Sequence, residues 1–351
     1  MPLARRAAVN ILTPQKLLIR LFLALMFLLA VMTACLFIGS ESVSFKKVLE
    51  GPGLNASNLD YIIFMQVRLP RVLLAAIVGA SLACAGVVFQ AILRNPLADP
   101  YILGISSGAG LGIMLAVMFG GSWSLAGLSP LTLAAFVGAM ATIWLVWAIG
   151  RVTGRTQVAG LLLAGVVVNA FFSAVIMFLN SIAKDRQLQT TIFWLMGSLA
   201  DVENNSLLYV SGGVCLLGII FLMLLGNRLN ILSFGAEQAR AMGVSIEKTC
   251  LLAFACAALM TSVAVSLSGL IGFVGLIVPH AVRLVAGPDH RQLIPLSALY
   301  GAAFLVLADA AAQVAAAPAI LPVGVITALT GGPFFLILLV RYTKNIHWGH
   351  L

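Results

Sequence analysis

Few side chains in this sequence could do chemistry, and those few suit charge recognition better than catalysis. Arg68-Leu-Pro-Arg71 puts two cations three residues apart at the start of an apolar run. Such a pair can hold a carboxylate through charge-assisted hydrogen bonds, or its side chains can reach to lipid phosphates; both readings stay open. Asp309 is the one acid inside a predicted membrane span. His280 and Arg283 close the segment Gly272-Phe-Val-Gly-Leu-Ile-Val-Pro-His-Ala-Val-Arg283, whose Gly and Pro mark a bend where backbone could line a cavity. Gln90 and Asn169 are polar groups within apolar runs. Ser106 and Ser107 have no evident base partner.

The usual catalytic patterns are missing. Gly243-Val-Ser-Ile-Glu-Lys-Thr249 has Glu247 where a phosphate loop needs glycine, and Gly108-Ala-Gly-Leu-Gly-Ile113 fails the dinucleotide pattern at its last position. There is no HExxH, and His347 and His350 lie in a polar tail. The five cysteines (Cys35, Cys84, Cys215, Cys250 and Cys256) form no CxxC pair and sit in or beside apolar runs, as small packing residues do. A carrier driven by protons would usually have more ionisable groups at membrane depth. These residues therefore predict no catalytic site, no metal site and an energy source on another subunit.

The elements that must position these residues follow from composition. Of 351 residues, 62% are hydrophobic and 9% charged, against about 25% charged in an ordinary soluble domain. That excludes a soluble enzyme and a disordered chain. The net charge of +9 comes from cations at segment ends, not from the patch a nucleic-acid surface needs. The apolar run from Leu21 to Ile38 is longer than a signal-peptide core of roughly 7–15 residues, so it reads as an uncleaved first span.

Apolar runs and their polar breaks predict ten spans, at 18–38, 72–93, 101–119, 128–149, 158–180, 206–226, 249–268, 271–285, 294–315 and 333–343. The last could begin earlier if the glycines near 331 lie in the membrane. With the N-terminus in the cytoplasm, 14 of the 20 lysines and arginines fall on the cytoplasmic side and 6 on the other, which favours both termini inside. Gly104, Gly108 and Gly112 form a tandem GxxxG, a helix-packing pattern. The halves 72–180 and 249–343 each hold four spans from opposite starting sides, the layout of an inverted repeat.

Three connections stand out. Asn95-Pro-Leu97-Ala-Asp-Pro100 reads as a rigid turn. Phe234–Val244, FGAEQARAMGV, reads as a short helix between glycines, suited either to a partner's groove or to a lipid surface. Residues 189–200 read as a short interfacial helix, with 321–333 as its counterpart in the second half.

In order, RLPR, GASLACAGVVFQ, NPLADPYILGISSGAG, FGAEQARAMGV, GFVGLIVPHAVR and LPVGVITALTGGPFF resemble the FecCD-type permease subunits of ABC importers for iron–siderophore, haem and cobalamin. The resemblance runs from about residue 60 to near the C-terminus. It implies an all-α polytopic membrane protein of about ten transmembrane helices with the type II ABC importer permease fold and inverted-repeat-like halves, the whole of 1–351 being one permease domain.

The resemblance also implies partners and roles. The partners are a second permease copy, two cytoplasmic ABC ATPases, an external binding protein and the lipid bilayer, with no nucleic acid. No cofactor binds this chain; ATP and Mg sit on the partner ATPase. The coupling region is 228–247, with Phe234, Gly235, Ala236, Glu237, Ala239, Arg240, Met242 and Gly243 against the ATPase. Arg68 and Arg71 match positions that dock the binding protein, and Gln313, four residues after Asp309, stands where the cobalamin member has a further docking arginine. Asn95 and Leu97 match a cytoplasmic gate, and Thr156 to Leu161 its second layer. Gln90, Asn169, His280 and Asp309 are assigned to the translocation path or to packing. The implied function is import of an iron chelate, haem or cobalamin by alternating access, across a bacterial inner membrane with both termini cytoplasmic. The alternative is an ion-coupled secondary transporter.

Overall fold

Apolar residues in this chain come in long runs with no two-residue alternation, and a backbone in lipid must satisfy its own hydrogen bonds. Helices result. The computed structural model describes residues 12–39, 43–52, 58–119, 129–152, 158–199, 205–317, 319 and 321–347. In chain order the helices are α1 (Pro14–Phe37), α2 (Phe45–Leu49), α3 (Leu59–Ile62), α4 (Leu69–Ile92), α5 (Ile105–Phe119), α6 (Pro130–Val152) and α7 (Val158–Ile182). They continue as α8 (Asp185–Leu195), α9 (Asn205–Ser233), α10 (Ala236–Ala241), α11 (Ile246–Ser268), α12 (Val274–Ala286), α13 (His290–Val314) and α14 (Val323–His347). A π turn, Ile63–Arg68, joins α3 to α4, and a 3-10 turn, Pro100–Leu103, precedes α5.

Among the described residues, seven segments are long and apolar enough to cross a bilayer: Pro14–Phe37, Leu59–Ile92, Pro130–Gly150, Gly160–Ile182, Asn205–Ser233, Ile246–Ser268 and His290–Val314. Ile105–Phe119, Val274–Ala286 and Val323–Ile337 are shorter apolar helices. Two of these owe their shortness to chain breaks inside the bundle. Before α5, Gly104 adopts φ +79° and ends the 3-10 turn, a backbone state open mainly to glycine. Before α12, residues 269–273 leave the helix altogether.

Helix α4 is the hub. It packs against α9, α11, α12 and α13, and its middle is built from small buried residues such as Ala80, Ser81, Ala83, Ala85 and Gly86. At Gly86 even a methyl group would run into the carbonyl oxygen of Gly275 on α12. Lipid supplies no hydrophobic drive between helices, so close backbone approach and dispersion have to hold α4 in place. By contrast α7 and α9 turn large apolar side chains outward, among them Leu163, Val167, Phe171, Leu217 and Leu224.

Three expectations change. The tandem GxxxG does not lie on one helix: Gly104 is the left-handed linker, and Gly108 and Gly112 alone pack against Gly138 and Ala134 of α6. The stretch 101–119 is helical in the α sense only from Ile105. Residues 321–333 are not a separate counterpart of α8, because α14 runs unbroken from Val323 through Gly331, Gly332 and Pro333.

Candidate functional site

Arg68 and Arg71 lie where the π turn passes into α4, just ahead of and after Pro70. A proline ring crowds the carbonyl of the preceding turn, and a π turn widens the helix at that place. Both arginines point inward, at 6% and 8% exposure. Arg71 donates Nε to Asp309 Oδ2 and Nη2 to Asp309 Oδ1, each at 2.8 Å. This is the bidentate fork that guanidinium and carboxylate form best. Gln313 sits one turn after Asp309 on α13 and donates Nε2 to the same Oδ2 at 2.8 Å. Arg68 donates Nη1 to the Leu36 carbonyl at the end of α1, 3.0 Å away.

In this structure Arg71 and Gln313 bond an internal carboxylate, and Arg68 bonds the end of α1. The cluster ties α1, α4 and α13 together at one end. Asp309 is one member of this pair.

The opposite end carries a second polar network. Asp289 caps α13, its Oδ1 accepting from the Arg291 backbone N–H at 3.0 Å. Asn230, near the end of α9, donates Nδ2 to Asp289 Oδ1 at 2.7 Å. Its Oδ1 accepts from the His290 backbone N–H at 2.8 Å and from His290 Nδ1 at 2.7 Å, which assigns the Nδ1 proton to that bond. Arg20 of α1 donates Nη1 to the Ala286 carbonyl at 3.0 Å and to Gln292 Oε1 at 2.6 Å. Thus α1, α9 and the α12–α13 turn are joined by side chains.

Burial pushes the Asp289 carboxyl up, but hydrogen bonds from Arg291 and Asn230 and the Arg291 charge outweigh it and hold it at about 2. A depressed folded value means the stabilisation is complete above the ordinary 3.8 and is lost as pH falls toward 2. The expected result is a constant gap in thermal midpoint between the protein and Asp289→Asn from about pH 8 to about pH 5, closing only below about pH 4. A gap that closes already between about pH 7 and 6 would contradict this assignment.

Helix α10 follows α9 directly. Gly235 (φ +126°) and Gly243 (φ +74°) bound it. Ala239 is fully buried and pins it to the bundle, and the helix packs on α9 and α11. Around that pin Glu237 and Arg240 are exposed, and Phe234 and Met242 stand out at 72% and 62%. Two large apolar side chains and one charge of each sign thus project from a short, anchored platform.

The remaining expected residues are dispersed. Asn95 is exposed, and its Oδ1 accepts from the Leu97 backbone N–H at 2.9 Å, holding the turn after α4. Leu97 is half-buried. Leu161 is 3% exposed and packed on α6 at Gly150. Thr156 lies outside the described residues. Asn169 is half-buried on α7, and His280 half-buried on α12 with its Nδ1 unpartnered among the described residues. Gln90 packs inside: its Nε2 reaches the Gly275 and Leu276 carbonyls at 3.3 and 3.4 Å.

Sequence reading missed why Gln90 is there. Backbone that leaves a helix inside a bundle must find other partners. In the break before α12, Ile271 N–H donates to Tyr101 Oη at 3.2 Å and the Ser268 carbonyl accepts from Ser198 N–H at 2.8 Å. Gln90 serves the first turn of α12 just past that break: the Gly275 carbonyl it reaches would otherwise need the N–H of residue 279, which is a proline. The signal was present as a Gly-rich stretch, but its partners are far away in the chain. Tyr101 and Asn230 carried no sequence signal of their own.

Residues 25–341 match the FecCD transport family. The chain is 47% identical over 278 residues to the cobalamin import system permease protein of Halobacterium salinarum, covering 78% of this chain and 72% of that protein. It is 40% identical over 315 residues to the hemin transport system permease protein of Yersinia pestis, covering 88% and 91%. A solved structure described as a metal-chelate type ABC transporter in an inward-facing conformation superposes with a TM-score of 0.80 at 34% identity, covering 94% of this chain and all of that one.

Proposed function

We propose, from the premise that the chain belongs to the FecCD transport family, how its geometry serves an importer. The chain is a multi-pass membrane protein and a permease subunit of an ABC importer. It is a transport component and not an enzyme, and a partner ATPase uses the ATP. An ion-coupled carrier is the poorer reading, since Asp309 is already paired with Arg71 and Gln313. The cargo we assign is an iron chelate, haem or cobalamin, after the names of the relatives. Two copies of the chain would form the path, with ten spans each in a bacterial inner membrane and both termini in the cytoplasm.

The α10 platform carries this reading. An ATPase that closes on ATP needs a handle that moves as a unit with the membrane helices. Ala239 makes α10 such a unit, and Phe234, Glu237, Arg240 and Met242 give a partner both an apolar anchor and charges to orient it. The chain's own part is mechanical: it takes the movement of α10 into α9 and α11 and exposes the path to alternate sides.

The test is purification of the tagged chain from native membranes followed by intact-mass analysis. The expected result is two copies of the chain with two of a soluble ATPase. With Phe234→Ala and Arg240→Glu together, the ATPase should be lost at least tenfold while the chain still folds. A chain that travels alone and moves solute down an ion gradient would overturn the reading.

A further inference from the structure

We infer that a groove on the membrane-facing side of α1, α12 and α13 binds one anionic phospholipid, its acyl chain in the groove and its phosphate on Arg20. The groove has a volume of about 610 Å³. Its walls are apolar: Leu23 and Phe27 from α1, Ala281 and Val285 from α12, and the stripe Leu296, Tyr300, Phe304 and Leu307 from α13. Among the described residues its single charged lining residue is Arg20, at the end where α1 and α13 begin and α12 finishes.

Length and charge both point to a lipid. From Leu296 to Leu307 the groove follows α13 for roughly 16 Å at the helical rise, the depth of one leaflet in a hydrocarbon core about 30 Å thick. Arg20 sits where that leaflet's headgroups would be. Its position is set, because Nη1 donates to both Ala286 O and Gln292 Oε1. Among the described residues the rest of the guanidinium fork is left to face an oxyanion. On the groove wall Val285 is 87% exposed, a surface that suits acyl chain and not water. A basic residue at the mouth of an apolar cleft between membrane helices is the arrangement that selects anionic headgroups. A free phosphate would use Arg20 alone and leave the groove empty. The inference rests only on the chain lying in a bilayer and holds whatever the cargo.

The experiment is native mass spectrometry of the purified complex after detergent exchange, with phosphatidylglycerol or phosphatidylcholine of equal chain length added. The protein should retain one phosphatidylglycerol at least fivefold better than phosphatidylcholine. Arg20→Gln should remove that preference. Ala281→Phe keeps the cation but fills the groove, and should expel the bound lipid. Lys184→Gln, exposed ahead of α8 and away from the groove, should change nothing. Equal retention of the two lipids by the unaltered protein would overturn the inference, as would an Ala281→Phe chain that keeps its lipid. Inorganic phosphate competing the lipid off, or loss of a second chain copy in place of lipid on Arg20→Gln, would also overturn it. If Arg20→Gln does not fold, the lipid preference and Ala281→Phe decide.

Discussion

Asp309→Ala is expected to lower the stability of the protein by about 3–5 kcal/mol, the cost of breaking a buried ion pair from one side. Arg71 would stay charged, with its side chain 9% exposed, and would lose both 2.8 Å bonds. Gln313 would lose its acceptor as well. The thermal midpoint of the purified chain should fall steeply, or the chain should fail to accumulate. The informative partner is Arg71→Met with Asp309→Leu. Replacing both charges by apolar groups of similar size is commonly neutral or stabilising, so this double variant should regain most of the midpoint. A midpoint unchanged by Asp309→Ala alone would refute the buried pair. A double variant that folds but no longer imports would show that the pair serves the transport cycle beyond holding α4 to α13.

Asn230→Ala is expected to have the second-largest effect, and to act on coupling more than on folding. Its amide links the end of α9 to the α12–α13 turn through Asp289 and His290, six residues ahead of α10. Unmet buried polar groups cost about 1–3 kcal/mol each, so a modest drop in midpoint is expected. The distinguishing measurement is cargo moved per ATP hydrolysed, which should fall several-fold while ATP hydrolysis continues. The exchange Asn230→Asp with Asp289→Asn reverses the donor and acceptor and keeps a good helix cap, and should restore much of the ratio. A transport ratio that survives Asn230→Ala would show that α10 moves the bundle by packing alone.

Composition and pattern were enough for the class of protein. A chain with 9% charge and long apolar runs cannot fold in water, and helices are the economical way to satisfy its backbone in lipid. The apolar runs mark where helices lie, because each helix hydrogen-bonds within itself. The ordered motifs were enough for the family. The short helix between Gly235 and Gly243 was readable for the same reason: glycines at positive φ and a local sequence define it.

The tertiary structure decided everything that depends on two distant segments meeting. Arg71 and Asp309 are 238 residues apart, and no spacing rule tells whether a cation at a helix start faces a partner or its own chain. Gly104 is a linker and not part of a helix stripe because the 3-10 turn before it re-enters the bundle. Tyr101 is explained only by the broken backbone before α12 that it satisfies, and Gln90 only by the carbonyls in the first turn of α12 that it reaches. Local hydrogen bonding is written along the sequence, whereas the partner of a buried charge or an orphaned backbone group is set by which helices pack together, and in lipid that choice rests on close shape fit between surfaces that are all apolar.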